Sequence, residues 1–191
     1  MLLTDPVTLE NAHVRLEPLA AAHAADLESA REGLEYAWYT SVPASAAEEI
    51  TRRLAERDAG RMNPFAVIAG GRAVGMTTLC TIDQPNRRVE IGYTWLSPTV
   101  QRTAVNTAAK LLLLGHAFEQ CDAIAVQFCT HWHNRQSRAA IERLGAKRDG
   151  VLRNHRIGPD GTLRDTVVYS ILAHEWPGVR AELQRRLAAR G

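Results

Sequence analysis

The middle of the chain contains a segment whose position between a predicted strand and a predicted helix suggests phosphate binding. The stretch QRTAVNTAAKLLLL, residues 101–114, follows VEIGYTWLSP, whose alternating apolar and polar side chains predict a strand. A strand, a short turn and an exposed helix N-terminus can together hold a phosphate, because free N–H groups and the positive end of the helix dipole meet there. Loops of this kind are usually rich in glycine, and residues 101–107 contain none. A plain helix start is therefore the alternative.

Two histidines and three cysteines are the other side chains whose chemistry needs an explanation. His131 and His133 would share one face of a strand, but two histidines make a weak metal site and no third ligand stands beside them in sequence. We predict no bound metal. Cys80, Cys121 and Cys129 form no CxxC pair, which favours reduced thiols and a cytoplasmic protein. Their predicted places in a helix end and in strands are structural, so we do not expect a thiol nucleophile.

Length and composition favour one domain over residues 1–191. The apolar fraction of 46% and charged fraction of 23% are ordinary for a globular protein, and the net charge of +2 gives no argument for nucleic-acid binding. The N-terminal segment lacks the basic and apolar regions of a signal peptide, and apolar runs are too short to cross a membrane. The basic helix at residues 180–190 suggests a lid or a homodimer contact.

The predicted elements give an α/β (α+β) domain built on a mostly antiparallel sheet with one crossover. In the first half, helices are predicted at 20–31 and 45–60, the second with Ser45 as N-cap and Glu48 completing a capping box. A hairpin turns at Gly70-Gly71. In the second half, helices are predicted from the quoted segment to about residue 120, at 134–146 and at about 174–190. Strands are predicted at 13–19, 65–69, 72–83, 89–96, 123–130 and on both sides of the turn Pro159-Asp160-Gly161.

This order of elements, together with four motifs, resembles the GNAT superfamily of acyl-CoA N-acyltransferases, and most closely its ribosomal-protein-alanine (Rim-type) branch. The motifs are VEIGYTWLSP at 89–98, QRTAVNTAAKLLL at 101–113, NRQSRAAIERLGA at 134–146 and GVLRNHRIGPDGTLRDTVVYSIL at 150–172. The resemblance implies a sheet of about seven strands, splayed in the middle and flanked by helices. It also implies an enzyme that moves acetyl from acetyl-CoA to a primary amine by direct attack. A catalytically inactive acyl-CoA-binding module is the alternative.

The same resemblance assigns residues to the cofactor. Backbone groups of residues 91–96 would pair with the pantetheine arm, and residues 101–107 would bind the pyrophosphate. Ala104 stands where the family usually has glycine; if that position needs a positive φ, alanine costs about 1 kcal/mol and weakens binding. The predicted cofactor-binding residues are Tyr93, Trp95, Leu96, Gln101, Arg102, Thr103, Ala104, Val105, Asn106, Thr107, Asn134 and Arg138.

The resemblance also assigns the proton-transfer groups. Glu90 would be the base that takes a proton from the amine, directly or through water, with a solvated strand-edge carboxylate as the alternative. Ser137 would donate to the leaving thiolate or stabilise it, and Asn134 would cap its helix beside the cofactor. Tyr169 is the runner-up acid, although a core tyrosine is favoured there. Period-two alternation predicts one face with Glu90, Gly92 and Thr94 and the other with Ile91, Tyr93 and Trp95.

The amine acceptor should approach where the chain departs from the family pattern. His131 and His133 are predicted to line this pocket, with a proton relay or plain surface and core positions as alternatives. By the same resemblance, Trp38 and Tyr39 fall in the segment that closes over the acceptor, with plain packing as the alternative. His155 and Arg156 would form the opposite wall. The acceptor itself, whether a protein N-terminus, an amino acid, a peptide or another small amine, is left open.

Overall fold

The computed structural model describes residues 1–39 and 42–189. Within this part of the chain, eight strands and five α-helices form the fold. The strands are β1 (Leu9–Glu10), β2 (Arg15–Pro18), β3 (Met62–Ala69), β4 (Arg72–Asp83), β5 (Arg88–Leu96), β6 (Ala125–His131), β7 (Lys147–Ile157) and β8 (Leu163–Leu172). The helices are α1 (Ala24–Ala30), α2 (Ala46–Asp58), α3 (Val105–Gly115), α4 (Arg135–Arg143) and α5 (Trp176–Ala188).

The strands form one sheet in the order β1-β2-β3-β4-β5-β6-β8-β7. All neighbours are antiparallel except β5 and β6, which run parallel because α3 crosses between them. These two strands pair only where residues 88–90 meet residues 125–127. Beyond Glu90 the ladder between them stops, so the predicted splay in the middle of the sheet is confirmed.

Local sequence signals account for most element boundaries. The β3–β4 hairpin turns on Gly70 and Gly71, whose φ angles of 59° and 78° are open to glycine at little steric cost. Ser45 accepts a hydrogen bond from the N–H of Glu48 at 3.1 Å, as predicted. The Glu48 carboxylate, however, binds the N–H of Ala44 instead of that of Ser45, so the capping box is only half formed.

Two apolar clusters cover the two faces of the sheet. The larger one joins the sheet to α3 and α5 and contains Phe65, Leu79, Ile91, Leu113 and Leu183. The smaller one lies under α1 and α2 and contains Leu27, Ile50, Met76 and Trp95. Helix α5 buries Trp176, Leu183 and Leu187 within the chain, and its role as a lid or a dimer contact stays a prediction. Arg190, included in the predicted C-terminal helix, lies outside the described residues.

A bulge in β5 reverses the side-chain alternation. The register with β4 shifts between Met76 and Thr78, and Tyr93 has a φ of 48°. Before the bulge, Ile91 lies on the face of the sheet that packs against α3. After the bulge, Thr94 lies on that face, and Trp95 lies on the opposite face in the cluster under α1 and α2. The prediction that Ile91, Tyr93 and Trp95 share a face was therefore wrong, because the extra residue changes the period.

No helix in the described ranges combines the length and apolar character needed to span a bilayer.

Candidate active site

Glu90 lies at the point where β5 and β6 separate. It pairs with Cys80 on β4 and with Gln127 on β6, and it is the last β5 residue to have a partner on β6. The side chain is half-buried, and Thr81 Oγ1 donates to Glu90 Oε2 at 3.3 Å. Burial raises the pKa of this carboxyl, while hydrogen bonds from Thr81 and Cys129 and the charge of Arg156 oppose the rise. A carboxyl with a raised pKa can act as a base closer to neutral pH.

Residues 97–107 form a compact connection from β5 into α3. The side-chain amide of Gln101 donates to the carbonyl of Leu96 at 3.0 Å, and the Thr103 hydroxyl donates to the carbonyl of Val100 at 2.7 Å. The N-cap residue of α3 is Ala104, which has no side-chain acceptor, and the N–H of Val105 donates instead to Thr103 Oγ1 at 3.3 Å. The next amides of the first turn need acceptors from elsewhere, so this end of α3 suits an anion.

Ala104 is not the strained residue of this loop. It has φ −66° and ψ −24°, which is helical, and it packs against the larger apolar cluster. The positive φ belongs instead to Arg102, at 63°. The premise that alanine at this position needs a glycine conformation was therefore wrong, and with it the steric reason for weakened cofactor binding.

Helix α4 begins shortly after the end of β6. Asn134 Oδ1 accepts from the N–H of Ser137 at 3.0 Å, which confirms the N-cap. Ser137 is half-buried in the first turn. Arg138 stacks over Trp132 at 4.5 Å and donates to the hydroxyl of Tyr169, so its side chain is held by the protein. Its contact with the cofactor stays a prediction.

Tyr169 occupies the core. Its side chain is fully buried, and its hydroxyl donates to Glu142 Oε1 at 2.8 Å. The structural interpretation of Tyr169 is therefore supported, and the role of Ser137 as the acid stays a prediction.

Three of the predicted acceptor residues come together. The Trp38 ring lies 4.9 Å from the His131 ring and 6.1 Å from the His133 ring, and the two histidine rings are 5.5 Å apart. Burial, followed by the charges of Arg164 and His133, lowers the pKa of His131. These rings are thus a partly exposed aromatic group at the end of β6.

Two other predicted acceptor residues lie differently. Tyr39 packs against the smaller apolar cluster and contacts Tyr36 edge-on at 5.1 Å, so its ring is part of the core. His155 is exposed, and its Nδ1 lies 3.0 Å from Thr166 Oγ1 on β8. Roles for both residues in acceptor binding stay predictions.

Beside the aromatic group at the end of β6 a cleft of about 330 Å³ opens between Tyr36, Ala37, Trp38 and Val42 on one side and the β7–β8 turn on the other. Its lining residues are Tyr36, Ala37, Trp38, Val42, His131, Gly158, Pro159, Asp160, Thr162 and Arg164. Arg164 Nη2 donates to the carbonyl of Trp38 at 2.6 Å and so connects the two walls. Sequence reasoning missed Arg164, because no local signal distinguishes it from the other arginines of the hairpin.

Lys110 was also missed. It lies in α3 and is only 5% exposed, with Nζ 3.0 Å from Thr77 Oγ1 and 2.7 Å from Thr94 Oγ1. Burial lowers the pKa of Lys110 to about 7. The available signal was a single charge directly before four leucines in a predicted helix.

The cysteine thiols are poor nucleophiles in their positions. Cys80 and Cys121 are buried and Cys129 is half-buried. Burial raises the pKa of all three thiols, that of Cys129 to about 12. They are thus protonated at neutral pH, which supports direct attack over an acyl-enzyme. In the residues that the structure covers, no group of three His, Cys, Asp or Glu side chains is arranged to hold a metal ion.

Comparison with known proteins gives a consistent set of relatives. The family described as "Acetyltransferase (GNAT) domain" matches residues 13–147. YdaF of Bacillus subtilis (strain 168), named as a ribosomal N-acetyltransferase, is 37% identical over 108 residues, which are 56% of this chain and 58% of YdaF. The match thus spans less than two thirds of that relative.

Solved structures match over nearly the whole chain. A GCN5-related N-acetyltransferase from Brucella melitensis is 30% identical with a TM-score of 0.88, over 96% of this chain and 86% of that one. RimJ from Mycobacterium smegmatis, solved with CoA-disulfide, is 24% identical with a TM-score of 0.83, over 100% and 98% of the two chains. The second comparison supports the fold alone.

Proposed function

Because the chain belongs to the GNAT acetyltransferase domain family, we propose that it is an acyl-CoA-dependent N-acetyltransferase that moves acetyl from acetyl-CoA to a primary amine. One observation carries this proposal. The strands β5 and β6 separate immediately after Glu90, so a half-buried carboxylate stands where the gap between them begins. The N-terminus of α3, whose N-cap residue Ala104 has no side-chain acceptor, follows β5 after a short connection.

The residues present fit the cofactor expected of this family. Backbone groups of residues 91–96 on the side of β6 have no strand partner there, so they suit the amides of a pantetheine arm. The first turn of α3 would hold the pyrophosphate, and Asn134 and Ser137 at the start of α4 would lie near the thioester. Acetyl-CoA supplies the acetyl group as an activated thioester.

The protein's own part in the reaction is proton transfer and positioning. An amine is mostly protonated at pH 7, so Glu90 takes its proton, directly or through water, and frees the lone pair for attack. Ser137 donates a hydrogen bond to the departing thiolate. Protonated thiols at Cys80 and Cys129 favour a ternary complex without a covalent enzyme intermediate.

The first test is a calorimetric titration of the purified protein with acetyl-CoA, with CoA and ATP as comparison ligands. We expect micromolar binding of acetyl-CoA, followed by thiol release when amines are added. Glu90→Gln should bind acetyl-CoA as the wild type does and lose turnover. Absence of acetyl-CoA binding at millimolar ligand would refute the proposal, whereas binding without turnover of any amine would indicate an inactive acyl-CoA-binding module.

The acceptor and the cellular setting are part of the same proposal. A protein N-terminus is one acceptor class, suggested by the name of the YdaF relative, and a free amino acid, a peptide or another small amine are the others. Three unpaired thiols support a reducing, cytoplasmic location. Size-exclusion chromatography with light scattering would test whether the protein forms a homodimer.

A further inference from the structure

Two arginines stand directly opposite each other next to the turn of the β7–β8 hairpin. Arg156 on β7 and Arg164 on β8 are register partners. Side chains at such positions lie on the same face of the sheet, about 5 Å apart at Cβ, and like charges there repel each other. Burial and then the charge of Arg156 lower the pKa of Arg164, and the charge of Asp160 opposes this decrease. An anion bound between the two guanidinium groups would offset their repulsion.

The described residues do not supply that anion. Arg153, on the same strand, forms an ion pair with Asp165 at 2.7 Å, but neither Arg156 nor Arg164 has a comparable partner within the described ranges. The carboxylate of Asp160, the nearest acidic group to act on Arg164, accepts hydrogen bonds from the N–H and hydroxyl of Thr162. The carboxylates of Glu90 and Asp160 act on the two arginines through their charges, but neither forms a direct ion pair with them.

Arg164 is also held in place and faces the cleft. Its residue is 7% exposed, it lines the cleft of about 330 Å³, and one of its N–H groups donates to the carbonyl of Trp38. A guanidinium has five N–H donors in a fixed fork, so this bond leaves the others for a ligand. The bond to Trp38 fixes the side chain in advance and reduces the entropy that binding would cost.

The arginine pair is close to the proposed base. The charge of Arg156 lowers the pKa of Glu90, and Arg164 lines the same cleft as His131 and lowers the pKa of that histidine. An acceptor whose amine reaches Glu90 would bring its neighbouring substituent to the arginines. A cationic substituent would be repelled there, and an oxyanion would be bound by charge-assisted hydrogen bonds.

We propose that Arg156 and Arg164 form an oxyanion-binding subsite for the acceptor, so that the enzyme selects small amines bearing a carboxylate or a phosphate over basic peptides. This inference rests on the proposed acetyltransferase function and specifies its substrate class. It also predicts that a basic peptide is a poor acceptor, because its cationic side chains would be repelled by the two arginines.

The test compares acceptors that differ only in the anion. The first pair is a free amino acid and its C-terminal amide, and the second pair is phosphoethanolamine and ethanolamine. A lysine-rich peptide is tested as a third kind of acceptor. With saturating acetyl-CoA, kcat/KM should favour the anionic member of at least one pair by roughly tenfold to a hundredfold. The pair that shows the preference identifies the carboxylate or the phosphate as the group bound.

Variants separate recognition from structure. Arg156→Gln removes an exposed side chain and should reduce the preference toward unity, mainly through KM, because the contact is made in both ground and transition states. Arg164→Gln should do the same, with thermal unfolding measured to detect loosening of the Trp38 contact. Arg153→Gln, at an exposed arginine already paired with Asp165, is the matched control and should keep the preference.

Failure of this inference differs from failure of the proposed function. Equal kcat/KM for acid and amide, or a preference for the basic peptide, would overturn the subsite while leaving an active enzyme. If no amine is turned over, calorimetry with an N-acetylated amino acid and its amide tests the subsite directly. Tighter binding of the acid that is lost in Arg156→Gln would support it, and equal binding would overturn it.

Discussion

Replacing Lys110 with methionine should make the stability of the protein less dependent on pH. Lys110 lies in α3, and its buried side chain donates hydrogen bonds to two threonine hydroxyls. Methionine has a similar length and no charge. Thr77 Oγ1 and Thr94 Oγ1 are 2.7 Å apart, so in the variant they can still bind each other.

The magnitude follows from the difference in pKa between the two states. Burial lowers the pKa of Lys110 from its ordinary value of 10.5 to about 7 in the folded protein. Between these values the unfolded state binds more protons, so this group makes the protein more stable as pH rises, by up to about 1.4 kcal/mol per pH unit. Above 10.5 its titration contributes nothing, and below about 7 the full penalty of about 5 kcal/mol is reached.

The variant lacks this penalty at every pH. From this effect, the free energy of unfolding of the variant should exceed that of the wild type by about 4 kcal/mol at pH 7 and about 2 kcal/mol at pH 9. Loss of the Nζ hydrogen bonds lowers the free energy of unfolding of the variant by an amount that does not change with pH. The difference in stability between the two proteins should therefore shrink by about 2 kcal/mol over this range. Cys80 on β4, whose charge would act on Lys110, keeps its proton because its own pKa is raised by burial.

The assay is urea unfolding at pH 7, 8 and 9 with a reducing agent, followed by tryptophan fluorescence. Lys147→Met is the matched control, because that side chain is 77% exposed and pairs with Glu175 at the surface. Its unfolding free energy should stay within about 0.5 kcal/mol of that of the wild type at each pH. Parallel pH curves for Lys110→Met and wild type would refute the reasoning and show that Lys110 keeps its ordinary pKa.

Three further substitutions test the candidate site. Glu90→Gln should lower kcat/KM by roughly 10²–10⁴-fold with unchanged acetyl-CoA affinity, and in the wild type the acidic limb of the pH–rate profile should lie above pH 4.5 because burial raises the pKa of Glu90. Ala104→Gly should not tighten acetyl-CoA binding in calorimetry, since Ala104 is already helical, and should lower stability by up to about 1 kcal/mol in urea unfolding. Asn134→Ala should cost about 1 kcal/mol in the same assay through loss of the α4 cap; no loss would contradict its capping role.

Local features of the fold were predictable from sequence because neighbouring residues determine them. The Gly70-Gly71 turn and the Ser45 and Asn134 N-caps depend on backbone preferences and hydrogen bonds within four residues. The order of strand, helix and strand likewise required the parallel pairing of β5 and β6. The motif resemblance then pointed to Glu90 at the site, and the sheet places it where these strands separate.

The sequence by itself thus determined the elements, their order and the family. Tertiary structure alone decided which side chains face each other. The bulge at Tyr93 sends Trp95 and Thr94 to faces opposite those predicted, because register depends on pairing with β4. The burial of Lys110 and the pairing of Arg156 with Arg164 likewise depend on residues distant in sequence. Such contacts follow from how strands and helices pack, and no local pattern in a single sequence encodes them.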